Sequence, residues 1–245
     1  MAKDMLEIML GGNRYLAIDL TQPLKLNVEV YPGDPKPERR EFSNIRKTGW
    51  QHFVHSIGDH NFQPHADAPN HQNLKLQDKG IESFGLKYCF NRAILIDLSN
   101  DAGAQDFDGI RYLIEVKKKH LEGFEKQLSK AEAIVIRTGY DIWLEKNRPH
   151  KPENLPYLSR DAASFIASFS KINVVGIDSL TVDLAGKHDS HQLLSSRLLV
   201  ESLVHLYKIP LESRMKFDLQ TSPVRIEGAT GGPVTAYAFI EMTRK

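Results

Sequence analysis

The chain has 245 residues, 26% charged and 41% apolar, a globular composition long enough to bury a full core as one large domain or two small ones. A net charge of +1, from 32 basic and 31 acidic residues with no Lys or Arg block, argues against nucleic acid or an anionic membrane surface as partner. The only cysteine is Cys89, which excludes an intramolecular disulfide, and residues 1–10 are a poor signal peptide, broken by Lys3, Asp4 and Glu7. No apolar stretch nears membrane-spanning length, and the cytoplasm is the expected location.

In chain order, residues 15–20 form an apolar run carrying Asp19, and residues 26–31 alternate in strand fashion. Tyr31-Pro32-Gly33-Asp34-Pro35 is a turn by its chemistry, since Pro fixes φ and Gly accepts positive φ. Residues 40–57 are mixed and strand-rich and lead into the most informative stretch, Gln63-Pro64-His65-Ala66-Asp67-Ala68-Pro69-Asn70-His71. Pro64 and Pro69 bias the residues before them to extended backbone, which makes a helix here unfavourable. Extended side chains alternate faces, so His65, Asp67 and His71 project from one side. Two imidazoles and a carboxylate without thiolate suit a divalent metal, whereas the bland alternative is a polar loop whose histidines face water. Nearby His52, His55 and His60 favour the site.

The second half alternates element types. Residues 92–98, 133–137 and 172–177 are short β-branched runs typical of buried strands. Residues 108–128 place Ile110, Leu113, Ile114, Val116, Leu121 and Leu128 at roughly helical spacing, and Ser159 is a good N-cap for a helix through Ala162, Ala163, Phe165 and Ile166. The Pro-rich residues 148–156 read as a loop, residues 193–206 as a strand, a helix or one of each, and residues 234–241 as a closing strand. With no repeat and no convincing linker, the expectation is one α/β domain over residues 1–245.

Further polar residues sit where α/β chains assemble sites. Gly176-Ile177-Asp178 through Asp183 follows a buried strand, and His188, His191 and Glu201 come next. Arg137-Thr138-Gly139 ends another strand, and Arg137 suits a carboxylate or phosphate ligand or a structural Asp. Singly, each of these has an ordinary structural explanation.

Their order resembles the cyclase family of metal-dependent hydrolases, which includes kynurenine formamidases and isatin hydrolases. The family hallmark is H-x-G-T-H-x-D-x-P-x-H, and residues 61–71 (NFQPHADAPNH) occupy its place. Ile18-Asp19-Leu20-Thr21, the 31–35 turn, Arg137-Thr138-Gly139, Gly176-Ile177-Asp178, His191-Gln192-Leu193-Leu194, Glu201-Ser202-Leu203 and the Gly-rich run before the last strand resemble its other landmarks in order. The resemblance implies a swivelling β/β/α domain, a mixed sheet or barrel with flanking helices. It also implies hydrolysis of a small amide, formamide or cyclic amide by a metal-activated water, in a homo-oligomer (dimer or tetramer).

Carried over by position, His65 and Asp67 match direct metal ligands, His191 and Glu201 the downstream ligands, and His71 the histidine of proton transfer. Asn61 replaces the first hallmark histidine and offers an amide oxygen, while Gln63-Pro64 replaces Gly-Thr. His60 is one position out of register and would face the other way on a strand unless a bulge intervenes. His188 is a possible substitute for His191. The expected cofactor is Zn or Mn, one ion rather than two. Tyr31, Pro32, Trp50 and Phe53 are candidate walls for a flat substrate, although Trp50 and Phe53 are residues more often found in cores. The departures at Asn61 and Gln63-Pro64 favour a second reading, a metal-free, inactive relative that binds a small ligand or serves in assembly.

Overall fold

The computed structural model describes residues 4–61 and 63–242; the first three residues of the opening stretch read above fall outside them. Four short runs buried on both faces set the architecture. Ala93, Leu95, Ala133, Val135, Val174, Leu198 and Val200 face one core, and their alternating neighbours Ile94, Ile96, Ile134, Ile136, Val175, Ile177 and Leu199 face another. Strands buried on two sides belong in a parallel sheet. Accordingly Phe90–Asp97, Ala133–Arg137, Val174–Ile177 and Leu198–Glu201 lie side by side in that order, all parallel.

The short strand His65–Asp67 pairs antiparallel with Leu198–Glu201 on one edge and with Gly231–Pro233, the start of the last strand, on the other. That last strand, Gly231–Glu241, runs antiparallel to Phe217–Pro223, which in turn pairs with Phe90–Asp97. These seven strands close into a mixed barrel, and the Met5–Leu10 and Asn13–Asp19 hairpin extends the sheet from the Gly231–Glu241 strand. The first core fills the barrel, and helices and turns cover the second. Ser159 Oγ caps the helix Arg160–Ala167 by accepting from Ala162 N at 3.4 Å, and that helix buries Ala162, Ala163 and Ile166. No helix among the described residues is long and apolar enough to cross a membrane.

Two local expectations are corrected. Residues 26–31 are not a strand: Val28 N bonds back to Lys25 O at 3.3 Å, and Glu29 N is taken by Asn147 Oδ1 at 3.0 Å, so no ladder can form. Residues 108–128 are not one helix. Asp108 (φ 52°) and Gly109 (φ 77°) make the tight turn of a small hairpin, Gln105–Phe107 with Ile110–Tyr112, and short 3-10 turns lead to a single helical turn at Glu125–Leu128. Ile110, Leu113, Val116, Leu121 and Leu128 are all buried as expected, so the apolar positions were right and their period was not. Residues 193–206 contain one of each element, the end of the helix Asp189–Leu194 and then the strand Leu198–Glu201.

Away from the site, His150 Nδ1 lies 2.7 Å from Tyr140 Oη, and burial pushes its pKa down to about 4. The unfolded chain takes up this proton near pH ~6.5, so between the two values the unfolded state binds more protons than the native one. Stability is therefore expected to fall as pH drops through that window, by up to about 3 kcal/mol from this group. Denaturant unfolding of the wild type and of His150→Gln at pH 7 and pH 4.5 checks this: the variant should lose less stability on acidification, and equal losses would contradict it.

Candidate metal centre

Pairing on both edges fixes which way the His65–Asp67 strand faces. Ala66, opposite Val200, points into the barrel core, so His65 and Asp67 point out of it beside Glu201, the register partner of His65. His65 Nε2 lies 3.2 Å from Glu201 Oε2 and 3.5 Å from Asp67 Oδ1. Both carboxylates are 2% exposed. Glu201 Oε1 also accepts the Val182 N–H at 2.6 Å, which ties it to the loop after the Val174–Ile177 strand.

That loop delivers the next histidine. Asp183 accepts from Ser190 N (2.7 Å) in the first turn of the helix Asp189–Leu194 and sits 2.6 Å from His191 Nδ1. With Nδ1–H donated to Asp183, His191 presents Nε2 to the cluster, 2.7 Å from Asp67 Oδ2 and 3.5 Å from Glu201 Oε1. His60 approaches from the other side, its Nδ1 at 2.8 Å from Asp67 Oδ1 and its Nε2 at 2.9 Å from Thr230 Oγ1. Asp59 accepts from both Thr230 N and Oγ1, so Thr230 is itself held. The His71 ring lies 4.0 Å from that of His60 and 5.4 Å from that of His191, centroid to centroid.

The electrostatics are those of a site short of positive charge. Burial works against ionised Asp67, yet the hydrogen bonds from His191 and His60 hold its carboxyl well below the usual range. Glu201 is pushed up by burial and then by the charge on Asp67. Burial also works against a charged His191, but Asp183 and Asp67 outweigh it and raise that imidazole to about 10. His71, with burial dominating, falls to about 4 and stays neutral at pH 7. Two buried carboxylates ringed by imidazoles fit a divalent cation. One ligand atom each from His60, His65 and Asp67 falls within 4.8 Å of the others, as does one each from Asp67, His71 and His191. This nitrogen and oxygen donor set without thiolate suits a divalent metal. A cavity of about 250 Å³ opens onto the cluster, walled on the far side by Tyr31, Asp34, Leu180 and Lys187.

The Cyclase family model matches residues 18–184. The chain belongs to the Cyclase family. Kynurenine formamidase of Bacillus cereus is 25% identical over 222 residues, covering 89% of this chain and 95% of its own length. Isatin hydrolase A of Labrenzia aggregata has the same shape, with a TM-score of 0.74 at 19% identity over 93% of this chain and 94% of its own. A potential metal-dependent hydrolase with cyclase activity also matches, with a TM-score of 0.69 at 19% identity over 92% and 99% of the two chains. The barrel described above is thus the fold of cyclase-type hydrolases.

Within this chain, His65, Asp67, His191, Glu201 and His71 lie together in one cluster. His71 arrives by a turn, His71 N bonding to Ala68 O at 3.0 Å, rather than by strand alternation. Asn61 does not join the cluster. Its Nδ2 donates to Pro35 O at 2.7 Å and its Oδ1 accepts from Gly58 N at 2.9 Å, so one end holds the Tyr31–Pro35 turn and the other its own preceding loop. His60 faces Asp67 instead, because it sits in a turn and the strand-face rule that counted against it does not apply. His188 is exposed and bonded to Gln72, and does not replace His191.

Of the proposed substrate walls only Tyr31 lines the cavity, with Pro32 next to it in the turn. Trp50 and Phe53 belong to the separate hairpin Glu38–Ser43 with His52–Ser56; Trp50 packs on Phe42 and His52, and Arg39 covers Phe53. Arg137 pairs with Asp97 and Asp141, and Asp178 accepts from Thr138 and Gly139, so both are structural.

The sequence placed Asp183 in a candidate loop and Gly231 in the Gly-rich run but gave neither a role, and it did not single out Thr230. Gly231 marks where the chain passes His60: a Cβ there would lie 2.5 Å from His60 Cε1 and 2.8 Å from Ala66 O. The backbone oxygen cannot yield, so Gly231→Ala should push His60 away and weaken Zn affinity by about 10–100-fold, read by competition with a chelator. Unchanged affinity would show that His60 contributes nothing to binding.

Proposed function

We propose that this cyclase is a metal-dependent hydrolase that opens the C–N bond of a small formamide or cyclic amide. The observation that carries this reading is the buried convergence of His60, His65, Asp67, His191 and Glu201 beside a neutral His71 at the floor of an open cavity. The kynurenine formamidase relatives, matched over nearly their whole length, support the substrate class. His60, His65, Asp67, His191 and Glu201 would hold Zn or Mn there, which would supply Lewis-acid chemistry: a water pKa lowered from ~15.7 to about 7 and a polarised scissile carbonyl.

The remaining work falls to side chains. Asp183 and Thr230 fix the rings of His191 and His60, so their ligating nitrogens are set before anything binds. His71 takes a proton from the attacking water and returns it to the departing nitrogen. Tyr31 and Leu180 wall the substrate in. The setting we infer is the cytoplasm, and the partner is the small molecule itself. The reading of a single ion rested on a ligand missing at Asn61 and on the stiff backbone at Pro64 with no hallmark glycine beside it; His60 beside Asp67 bears on the first, and metal per chain decides the number.

The experiment is metal analysis of untagged protein, then hydrolysis of an N-formyl arylamine and of isatin by protein loaded with Zn or Mn. Stable metal with turnover of either compound is expected. Protein that stays metal-free after dialysis against micromolar Zn and Mn at neutral pH, or that is loaded and inert, would leave the second reading, an inactive binding protein. His60 beside Asp67 bears on the departure at Asn61, one of the two that favoured it.

A further inference from the structure

His71 is gripped from outside the ligand cluster. Its Nε2 lies 3.1 Å from the Gln72 amide nitrogen, and the Gln72 carbonyl oxygen accepts from His188 Nδ1 at 2.6 Å. The next residue is tied in the same direction, Asn73 Nδ2 donating to Ser195 Oγ at 3.0 Å. His188 and Ser195 are the two residues that cap the helix Asp189–Leu194, which carries His191. The segment bearing His71 is therefore fastened at both ends of the helix that bears a metal ligand.

An imidazole has two inequivalent nitrogens, and the partner of one determines what the other can do. A primary amide suits this task, because it offers N–H on one side and a carbonyl oxygen on the other. The orientation that leaves His71 Nδ1 open to a proton is the one reached by a half-turn of the amide, its carbonyl oxygen accepting from Nε2–H and its N–H donating to Nδ1 of exposed His188.

We propose that Gln72 is a positioning residue for His71: anchored by His188, it occupies Nε2 and leaves Nδ1 as the nitrogen that takes and returns the proton. This rests on the reading of His71 as the proton-transfer group. Gln72 touches no reacting atom in this scheme. Its loss frees the ring to turn and to populate both tautomers, which lowers the fraction of productive encounters and leaves binding of metal and substrate alone.

The test uses Zn-loaded wild type, Gln72→Leu, Gln72→Glu and His188→Ala. The measurements are Zn per chain, kcat and KM on an N-formyl arylamine, and the nitrogen NMR shifts of the histidine rings. Gln72→Leu should lose about tenfold in kcat, with KM within about twofold and Zn content unchanged. His188→Ala should lose less. Gln72→Glu, which keeps an acceptor for Nε2–H, should recover most of the rate. The His71 ring should show one tautomer in the wild type and a mixture in Gln72→Leu.

Unchanged kcat in Gln72→Leu overturns the proposal, as does a loss that appears in KM or Zn content while kcat holds. If Zn-loaded wild type hydrolyses nothing, the functional reading fails, and the ring shifts alone decide the role of Gln72: identical His71 spectra in wild type and Gln72→Leu reject it.

Discussion

His60→Ala is expected to cost Zn affinity more than about 100-fold, while Asn61→His leaves it nearly unchanged. The lower bound follows from the cost of disturbing residues that merely support a metal ligand, about 10–100-fold, which removal of the ligand itself should exceed. His60 Nδ1 is 2.8 Å from Asp67 Oδ1 and its ring is oriented by Thr230, so its deletion removes a donor already in place. Asn61 is 4% exposed and committed at both ends to the chain around it, so an imidazole there gains no view of the cluster and loses the contact to Pro35. Chelator competition on both variants and the wild type reads this directly. A clear gain in affinity for Asn61→His, with none lost in His60→Ala, would restore the hallmark register and remove His60 from the site.

The second large effect is in turnover. His71→Ala should lower kcat by about 10²–10⁴, the range a positioned acid or base supplies, and should keep most of the metal. His65→Ala, by contrast, should lose the metal, since its Nε2 faces both Asp67 and Glu201 in the buried heart of the cluster. The pair of variants separates proton transfer from ligation. If His71→Ala strips the metal as fully as His65→Ala does, His71 is a ligand, and its place within 4.8 Å of Asp67 and His191 donor atoms is the reason.

Most of the fold was legible because the central strands are buried on both faces, and runs such as Ala133–Arg137 leave little choice of element. The stretch 108–128 misled because its apolar residues are spaced as a helix would space them, while Asp108-Gly109 supplies the turn of a hairpin. That signal was present in the sequence and was outweighed by the spacing. In the site, residue types and order together with the family resemblance named His65, Asp67, His191 and Glu201, which the structure brings together. They did not suffice for Asn61 and His60, since the alternation rule holds only on a strand and the strand begins at His65. Asp183 was visible only as one polar residue in a loop; its role depends on a helix that starts six residues on and carries His191 eight residues on, a spatial relation with no local mark.

The three-residue strand His65–Asp67 has a consequence for the life of the chain. It is clasped between Leu198–Glu201 and Gly231–Pro233, so its neighbours lie more than a hundred residues downstream. A nascent chain on the ribosome that has exposed only its first two hundred residues holds the histidines but neither Glu201 nor the Gly231–Pro233 half of the clasp. Contacts so distant in sequence form late. A metal bound at the cluster would therefore favour the finished barrel over partial forms and, by mass action, would add RT ln(1 + [metal]/Kd) to its stability. Chains truncated before residue 231 should emerge metal-poor and be the first cleared by proteolysis.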